Sequence, residues 1–241
     1  MEMDNIIIKI KNLTKSFGNF TAVNSISFNI VRGEILGFLG PNGAGKTTTI
    51  KMITGLLKIS SGEIVIEGTN VERDTEKIKE NIGYMSQKFS LYGTLTAVEN
   101  VEFFSGITGF KREKVKEKIS EIKKIIPKGL ALMKVDSLPP GIKQKVALFV
   151  SLIADPEILL LDEPTSGVDP EVRRVFWQEI YRLKKEGKTI LVTTHNLDEV
   201  EYADRIIILH RGNIILRGEP DKLLKEHKKG SVEELFKEAI S

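Results

Sequence analysis

A glycine-rich segment limits the folds open to this chain more than any other feature. Residues 40–47 read Gly-Pro-Asn-Gly-Ala-Gly-Lys-Thr. The apolar run before them, Ile35 to Leu39, is typical of a strand buried on both faces. The segment after them, Lys46 to Leu57, repeats apolar residues on one helical face. Because no strand or helix interior tolerates so much glycine and proline, we predict a loop that joins a buried strand to a helix.

The same loop predicts nucleotide binding. Glycines let successive backbone N–H groups point at phosphates, and the N-terminus of the helix that follows also favours anions. Lys46 is then expected to reach the β and γ phosphates, and the Thr47 hydroxyl to coordinate Mg²⁺. The alternative is a flexible glycine-rich connector, which the strand and helix on either side disfavour.

Two adjacent acids, Asp162 and Glu163, follow the apolar run Ile158 to Leu161. At the carboxyl end of a neighbouring strand, Asp162 can hold the water shell of the magnesium ion, and Glu163 can act as general base on the attacking water. Taken alone, two acids after a strand are more often a helix cap or a solvated turn. Together with a phosphate loop, they predict a catalytic pair.

The rest of the chain alternates strand and helix patterns, which implies a mostly parallel sheet. An amphipathic stretch from about Thr94 to Gly129 predicts a second, helical lobe. Within it, the charge-laced segment Lys111 to Lys124 begins an apolar stripe at helical spacing, made of Val115, Ile119, Ile122 and Ile126. Strands are predicted at 6–10, 25–30, 35–39, 63–67, 82–85, 158–161, 189–194 and 205–209, and helices at 46–57, 111–124, 142–153, 172–186 and 197–203, with two short helices in the tail, broken at 228–230.

Composition narrows the class of protein. With 241 residues, 41% hydrophobic and 29% charged, we expect one soluble globular domain, with enough chain for an attached lobe. The longest apolar stretch, Val146 to Ala154, is about half of the roughly 20 residues that a membrane helix needs. The N-terminus, Met1 to Asp4, is acidic where a secretory signal would be basic, so a cytoplasmic location is predicted.

Charge and cysteine content exclude further classes. Lys and Arg number 36 against 33 Asp and Glu, so the formal net charge is only +3. That is too small for the broad positive field of nonspecific nucleic-acid binding, and no nucleic-acid partner is expected. The sequence has no cysteine, which excludes disulfides, thiolate metal sites and cysteine nucleophiles.

The order of several further segments resembles the ATP-binding subunits of ABC transporters over nearly the whole chain. Phe17 matches the aromatic residue that stacks on adenine in that family. Gln87 matches the glutamine that links magnesium and the attacking water to the transmembrane subunits, and His195 matches the switch histidine that contacts the γ-phosphate. Ser166 to Asp169 match the loop that crosses the dimer interface.

The resemblance implies a site and a fold. Its catalytic residues are Glu163, His195 and Gln87, and its metal residues are Thr47, Gln87 and Asp162. The ATP contacts it implies are Phe17, Val23, Gly40, Pro41, Asn42, Gly43, Ala44, Gly45, Lys46, Thr47 and Thr48. The implied fold is α/β, a P-loop NTPase core with a mostly parallel sheet, an N-terminal antiparallel β subdomain and an inserted α-helical subdomain at about 88–150. The ATP-binding domain is expected at 1–220, with a short helical tail at 221–241.

One segment departs from the family. Members carry Leu-Ser-Gly-Gly-Gln before a helix whose N-terminus caps the γ-phosphate bound by the opposing subunit. This chain has Leu138-Pro139-Pro140-Gly141-Ile142 there. Pro139 has no hydroxyl and neither proline has an N–H, although Gly141 and Ile142 are expected to keep theirs as donors. Weakened rather than abolished turnover is therefore expected, with Ser166 and Asp169 also at the subunit interface.

The resemblance also implies partners. We expect a second ATP-binding subunit, identical or not, and a separately encoded integral-membrane permease that binds the protein to the inner face of the cell membrane. An aromatic cluster after Gln87, with Phe89, Leu91 and Tyr92, is the predicted docking site; the alternative is that these side chains pack under the helical lobe.

The branch within the family is suggested by the segment from Leu161 to Pro170, followed by Arg173-Arg174 and Phe176-Trp177. It resembles the ABC-2 type exporters, although simple helix packing would also explain Phe176 and Trp177. Two other functions stay open at this point: a soluble ABC ATPase without a transporter, and a regulatory nucleotide-binding module.

Overall fold

A computed structural model of the chain describes residues 5–87 and 91–240, which form two β-sheets surrounded by helices. The strands in these described ranges are β1 (Ile6–Phe17), β2 (Phe20–Val31), β3 (Ile35–Leu39), β4 (Ser61–Ile66), β5 (Thr69–Asn70), β6 (Ile82–Met85), β7 (Ile158–Asp162), β8 (Thr189–Thr194), β9 (Arg205–His210) and β10 (Asn213–Gly218). The helices are α1 (Lys46–Ile53), α2 (Thr75–Glu80), α3 (Ala97–Ile107), α4 (Arg112–Ile125), α5 (Pro140–Ser151), α6 (Pro170–Lys185), α7 (Pro220–Glu226) and α8 (Val232–Ile240).

The larger sheet has the strand order β10-β9-β3-β8-β7-β6. Its neighbours from β9 to β6 pair in parallel, and β10 alone runs antiparallel, to β9. The smaller sheet has the order β2-β1-β4-β5 and is antiparallel throughout. The predicted combination of a mostly parallel sheet, an N-terminal antiparallel sheet and a helical lobe is confirmed.

Alternation along the central strands builds two of the three core clusters. Every residue of β3 and β7 is buried, and successive side chains point to opposite faces. Leu36 and Phe38 therefore join α1 and the smaller sheet in a first cluster, whereas Ile35 and Leu39 join α6 on the other face. A continuous apolar strand is expected where both faces of a parallel sheet are covered.

The third cluster lies in the helical lobe, between α3, α4 and α5. The predicted stripe of α4 is confirmed, because Ile122 and Ile126 are buried and Ile119 packs against them. Phe176 and Trp177 are also buried, in the second cluster, with Trp177 stacked on Tyr202 at 5.1 Å between ring centroids. The packing interpretation of these two aromatic residues is therefore the correct one.

Several element predictions need correction. The first two strands are each 12 residues long. They extend past the points where alternation stops, because bulges between Ile10 and Leu13 and at Lys15 shift the register while pairing continues. The segment predicted as the helix 197–203 is a 3-10 helix, Leu197–Tyr202. The sequence patterns did not predict α2, β5 or β10.

The tail folds back on the second cluster. The predicted break between two short helices is confirmed, since α7 ends at Glu226 and α8 begins at Val232. Leu223 and Leu235 are buried against the larger sheet's second face. Within the described ranges, no helix has the length and apolar character needed to cross a membrane.

Candidate active site

The phosphate loop connects β3 to α1 at the carboxyl end of the parallel sheet. Two of its glycines are required by backbone geometry and close contacts. Gly40 has φ 153°, and a Cβ there would lie 2.3 Å from the Leu209 carbonyl oxygen. Gly45 has φ 106°, and its Cβ would lie 2.6 Å from the Ala22 carbonyl oxygen. Neither position can hold a larger residue without moving backbone, so the loop is seated tightly on β2 and β9.

Lys46, the first residue of α1, is buried beneath this loop. Its Nζ donates to the Gly40 carbonyl at 2.7 Å and to the Pro41 carbonyl at 3.2 Å. The same Nζ lies 3.2 Å from Glu163 Oε1. The amine is therefore held beneath the phosphate loop by two loop carbonyls and one carboxylate. Its contact with the phosphates of a bound nucleotide stays a prediction.

Asp162, the last residue of β7, connects the loop's helix to the neighbouring strand. Its Oδ1 accepts from the Thr47 hydroxyl at 3.1 Å and from the Thr193 hydroxyl at 2.7 Å. Asp162 is 1% exposed, and its charge adds to the effect of burial on Tyr84. Burial first, and that charge second, raise the pKa of Tyr84 to about 12.

The residues around Asp162 fit a magnesium ion. Asp162 Oδ2 is buried, and within the described ranges no donor reaches it. A buried carboxylate oxygen without a donor is costly unless a cation or water satisfies it. The Thr47 hydroxyl beside it completes a set of hard oxygen ligands, the kind that Mg²⁺ prefers. Thr47 and Asp162 are therefore the residues that would hold the ion, and its contact with Gln87 stays a prediction.

Glu163 stands at the centre of the site in an unusual backbone conformation. Its φ is 48°, in the left-handed region that a glutamate rarely adopts. Hydrogen bonds from its N–H to the Thr193 hydroxyl at 2.9 Å and to the Thr193 carbonyl at 3.2 Å hold it there. Such strained residues persist where the surroundings over-determine them, and they cluster at functional sites.

The Glu163 carboxylate brings together three of the predicted residues. Besides Lys46 on Oε1, its Oε2 accepts from Gln87 Nε2 at 2.9 Å and lies 3.1 Å from His195 Nδ1. Strand order explains the meeting. Gln87 follows β6, Glu163 follows β7 and His195 follows β8, and these are adjacent parallel strands whose carboxyl ends share one edge.

The predicted adenine side is more open. Phe17 is 49% exposed at the end of β1, with Lys15 Nζ 5.0 Å from the ring centroid. About half of this side chain is open to solvent, and its stacking on adenine stays a prediction. Val23 is fully buried in the first cluster, directly beneath Gly45. It supports the phosphate loop from below, and its contact with ATP stays a prediction. Pro41, Asn42 and Gly43 are exposed at the loop's surface, whereas Ala44 is buried and Thr48 half-buried.

The segment with two prolines begins α5. Leu138 is buried, both prolines are exposed, and Pro140 occupies the first helical position, where its fixed φ is welcome. One expectation is wrong here: the Ile142 N–H is not a free donor, because it donates to the Pro139 carbonyl at 3.0 Å, as the Lys143 N–H also does. Without a side-chain cap, the first turn folds onto that carbonyl. Of the two N–H groups expected as donors, those of Gly141 and Ile142, only that of Gly141 has no acceptor among the described residues.

The segment with two prolines is separate from the phosphate loop of its own chain. No hydrogen bond or ion pair among the described residues joins residues 138–142 to residues 40–48. Ser166 and Asp169 are also exposed. Asp169 has a local role as well, since its Oδ1 accepts from the Val172 N–H at 3.1 Å and so caps α6.

Thr193 is a residue of the candidate site that was not predicted from the sequence. Its hydroxyl bonds both to Asp162 and to the Glu163 N–H, so it fixes the two acids relative to each other. The only signal in the sequence is a threonine near the end of a predicted strand. Its partner becomes known only from the register, in which Asp162 lies opposite Thr193. The predicted docking residue Phe89 lies outside the described residues.

Comparison with known proteins identifies the family to which the chain is similar. A protein-family model described as ABC transporter matches residues 23–166. The chain is 49% identical over 218 residues to the probable multidrug ABC transporter ATP-binding protein YbhF of Escherichia coli, covering 90% of this chain but 38% of that protein. It is 38% identical over 216 residues to the linearmycin resistance ATP-binding protein LnrL of Bacillus subtilis, covering 88% of this chain and 69% of LnrL.

A solved structure shares the fold. The chain superposes with a TM-score of 0.81 and 30% identity on the ATP-binding cassette MJ0796, a dimer in a post-hydrolysis state bound to ADP and Pi. The match covers 88% of this chain and 98% of that one. The chain thus spans nearly the full length of a cassette, but well under half the length of the multidrug relative.

Proposed function

The chain belongs to the ABC transporter family of ATP-binding proteins, and from that premise we propose that it binds and hydrolyses ATP to energise export. ATP would be sandwiched in a head-to-tail dimer of two such subunits, and a separately encoded integral-membrane permease would carry the cargo. The exporter assignment is supported by the names of the relatives, a probable multidrug transporter and a resistance protein.

One observation carries the hydrolysis proposal: Lys46, Gln87 and His195 all converge on the Glu163 carboxylate. We assign Glu163 as the general base that accepts a proton from the attacking water, because a carboxylate within reach of polar partners can orient water and take its proton. Lys46 binds the phosphates, and His195 contacts the γ-phosphate. A magnesium ion held by Thr47 and Asp162 would neutralise charge on the phosphate oxygens.

ATP binding requires one contact of the free protein to open. Lys46 cannot fully contact phosphates while it pairs with Glu163 at 3.2 Å. Both side chains are nearly buried, so this pair is little screened by water. The arriving phosphates replace the carboxylate as the partner of Lys46, and Glu163 is then released to act on water together with Gln87 and His195.

Dimer formation would complete the site. Among the described residues, no hydrogen bond or ion pair joins the helix N-terminus at Gly141 to its own phosphate loop, which supports capping of the γ-phosphate in the opposing subunit. Since the Ile142 N–H is already used by Pro139, Gly141 and the helix dipole remain for that cap. We therefore propose slow basal turnover.

The permease would dock on an aromatic patch made of Tyr92, Phe103 and Phe104. Tyr92 packs on Phe103 edge to face, with ring centroids 4.7 Å apart. Yet Tyr92 is 48% exposed and Phe103 41%, which is unusual for large aromatic rings and typical of interaction sites. Leu91 instead packs against two core clusters, so the packing alternative holds for that residue. The protein would accordingly lie on the cytoplasmic face of the membrane.

The experiment that tests the proposal compares Lys46→Ala with Lys51→Ala. Both lysines lie on α1, but Lys51 is on its exposed face. Losing a charge-assisted contact of about 1.5–3 kcal/mol should weaken ATP binding by roughly tenfold to a hundredfold in Lys46→Ala and leave Lys51→Ala unchanged. Isothermal titration calorimetry measures ATP binding by each variant, and phosphate release measures hydrolysis. Equal binding by the two variants would contradict the site, and binding without hydrolysis in the wild type would favour the regulatory module.

A further inference from the structure

We infer that Glu199 is a positioning residue for ATP hydrolysis, an inference that rests on the function proposed above. It lies four residues after His195, in the 3-10 helix Leu197–Tyr202. It holds the segment that follows Glu163 and the segment that contains His195 in one fixed arrangement. It does not itself touch the reacting atoms.

Three separate parts of the chain meet at its carboxylate. Glu199 Oε1 accepts from the Thr165 hydroxyl at 2.5 Å. Arg173 Nε, near the start of α6, forms an ion pair with the same oxygen at 3.2 Å. Thr165 follows Glu163 by two residues and immediately precedes Ser166. The Glu199 carboxylate therefore joins the predicted interface loop, 166–169, to the segment that contains His195.

The Glu199 carboxylate is buried, and burial of a charged group is energetically unfavourable. The Glu199 side chain is 1% exposed, and its Oε2 has no donor within the described ranges. Arg173, one quarter exposed, is the cation that offsets the buried charge. A buried ion pair often contributes no more to the free energy of unfolding than apolar residues of similar size would. We therefore explain the Glu199–Arg173 pair by the positions that it fixes for the segments around Thr165 and His195.

The connected groups are those on which hydrolysis depends. His195 Nδ1 lies 3.1 Å from Glu163 Oε2, and the two residues belong to the two segments that Glu199 joins. If this junction is loosened, the imidazole and the base can drift apart, and displacement by about 1 Å can cost roughly a hundredfold in rate. ATP binding to a single subunit should not change, because Lys46 and the phosphate loop are untouched.

The test uses isosteric variants and a matched control. Glu199→Gln removes the charge but keeps the size, and Thr165→Val removes the hydroxyl from the other side. Glu201→Gln makes the same chemical change on the same 3-10 helix at an exposed position. We expect kcat to fall by about tenfold to a hundredfold in Glu199→Gln and Thr165→Val, with the KM and Kd for ATP within about twofold of wild type. Glu201→Gln should match wild type.

The double variant and a second measurement make the outcome decisive. Since Glu199 and Thr165 act as a unit, Glu199→Gln with Thr165→Val should be no slower than the slower single variant. Amide hydrogen exchange should become faster at 163–169 and at 195–199 in Glu199→Gln, and not in Glu201→Gln. Unchanged kcat in both single variants would overturn the inference, as would a parallel loss of ATP binding. If the wild type hydrolyses no ATP, the proposed function fails, and unchanged exchange in Glu199→Gln would then overturn the inference separately.

Discussion

Replacing Glu163 by glutamine separates the two roles that we assign to one carboxylate. As general base, it accelerates hydrolysis; as partner of Lys46, it competes with phosphates in the free protein. Glu163→Gln removes the charge and keeps the shape. We expect hydrolysis to fall by about a hundredfold to ten-thousandfold, the usual contribution of a positioned base, while nucleotide binding becomes tighter.

The size of the gain in binding follows from the ion pair. Lys46 Nζ and Glu163 Oε1 lie 3.2 Å apart, with side chains only 4% and 6% exposed. The Lys46 ammonium stays charged in the variant, so the carboxylate and the amide that replaces it both accept a hydrogen bond from a charged donor, worth about 1.5–3 kcal/mol. With the carboxylate at the upper end of that range and the neutral amide at the lower end, the phosphates displace a contact weaker by up to about 1.5 kcal/mol, which corresponds to up to roughly tenfold tighter binding.

The assay measures binding of a non-hydrolysable ATP analogue by titration calorimetry, and hydrolysis by phosphate release at saturating ATP. Glu72→Gln is the control, because Glu72 is exposed and makes no ion pair among the described residues; it should behave as wild type. Near-normal turnover in Glu163→Gln would place the base elsewhere. Weaker binding of the analogue would refute the argument that Glu163 competes for Lys46.

Three further predictions concern other parts of the chain. Restoring Pro139-Pro140 to Ser-Gly should raise kcat by roughly tenfold through the regained donors and leave the monomer's Kd for ATP unchanged; a fall in kcat would make the prolines a working variant of the segment. Tyr92→Asp should abolish permease association in a pull-down while Tyr92→Phe preserves it, and equal binding by both would move the docking site. Burial and Asp162 raise the pKa of Tyr84 to about 12, above its unfolded value of about 10, so the stability of the neutral phenol is fully present below pH 10 and lost as pH rises toward 12. Urea unfolding should show a shallower loss across that range in Tyr84→Phe, and an identical slope would contradict the assignment.

Much of the fold could be predicted because its signals are local. The strands 35–39 and 189–194 were predicted with the bounds that the structure has, since apolar runs between turn residues identify buried strands. The same reasoning predicts β1 and β2 as too short, because their bulges interrupt the alternation of side chains while the pairing between the strands continues. Periodicity reports which face a residue occupies, and a bulge changes the face without ending the strand.

In the candidate site as well, local motifs could be recognised from the sequence, whereas contacts that depend on the folded chain could not. Roles for Lys46, Thr47, Asp162 and Glu163 could be proposed from the sequence, because a phosphate loop and an acidic pair after a strand carry their chemistry in consecutive residues. The family predicted from the order of the motifs is confirmed by the comparisons. The use of the Ile142 N–H by Pro139 could not be predicted, because it depends on how the first turn of α5 closes when no side chain caps it.

The sequence by itself determined that this chain has a nucleotide-binding loop on an α/β core and a helical lobe. Only the tertiary structure decided which groups meet. The order β6-β7-β8 brings Gln87 and His195 to either side of Glu163, and the register places Thr193 opposite Asp162. These contacts join residues 31 to 76 positions apart. Strand order and register are set by packing across the whole core, so no local pattern of residues reveals them.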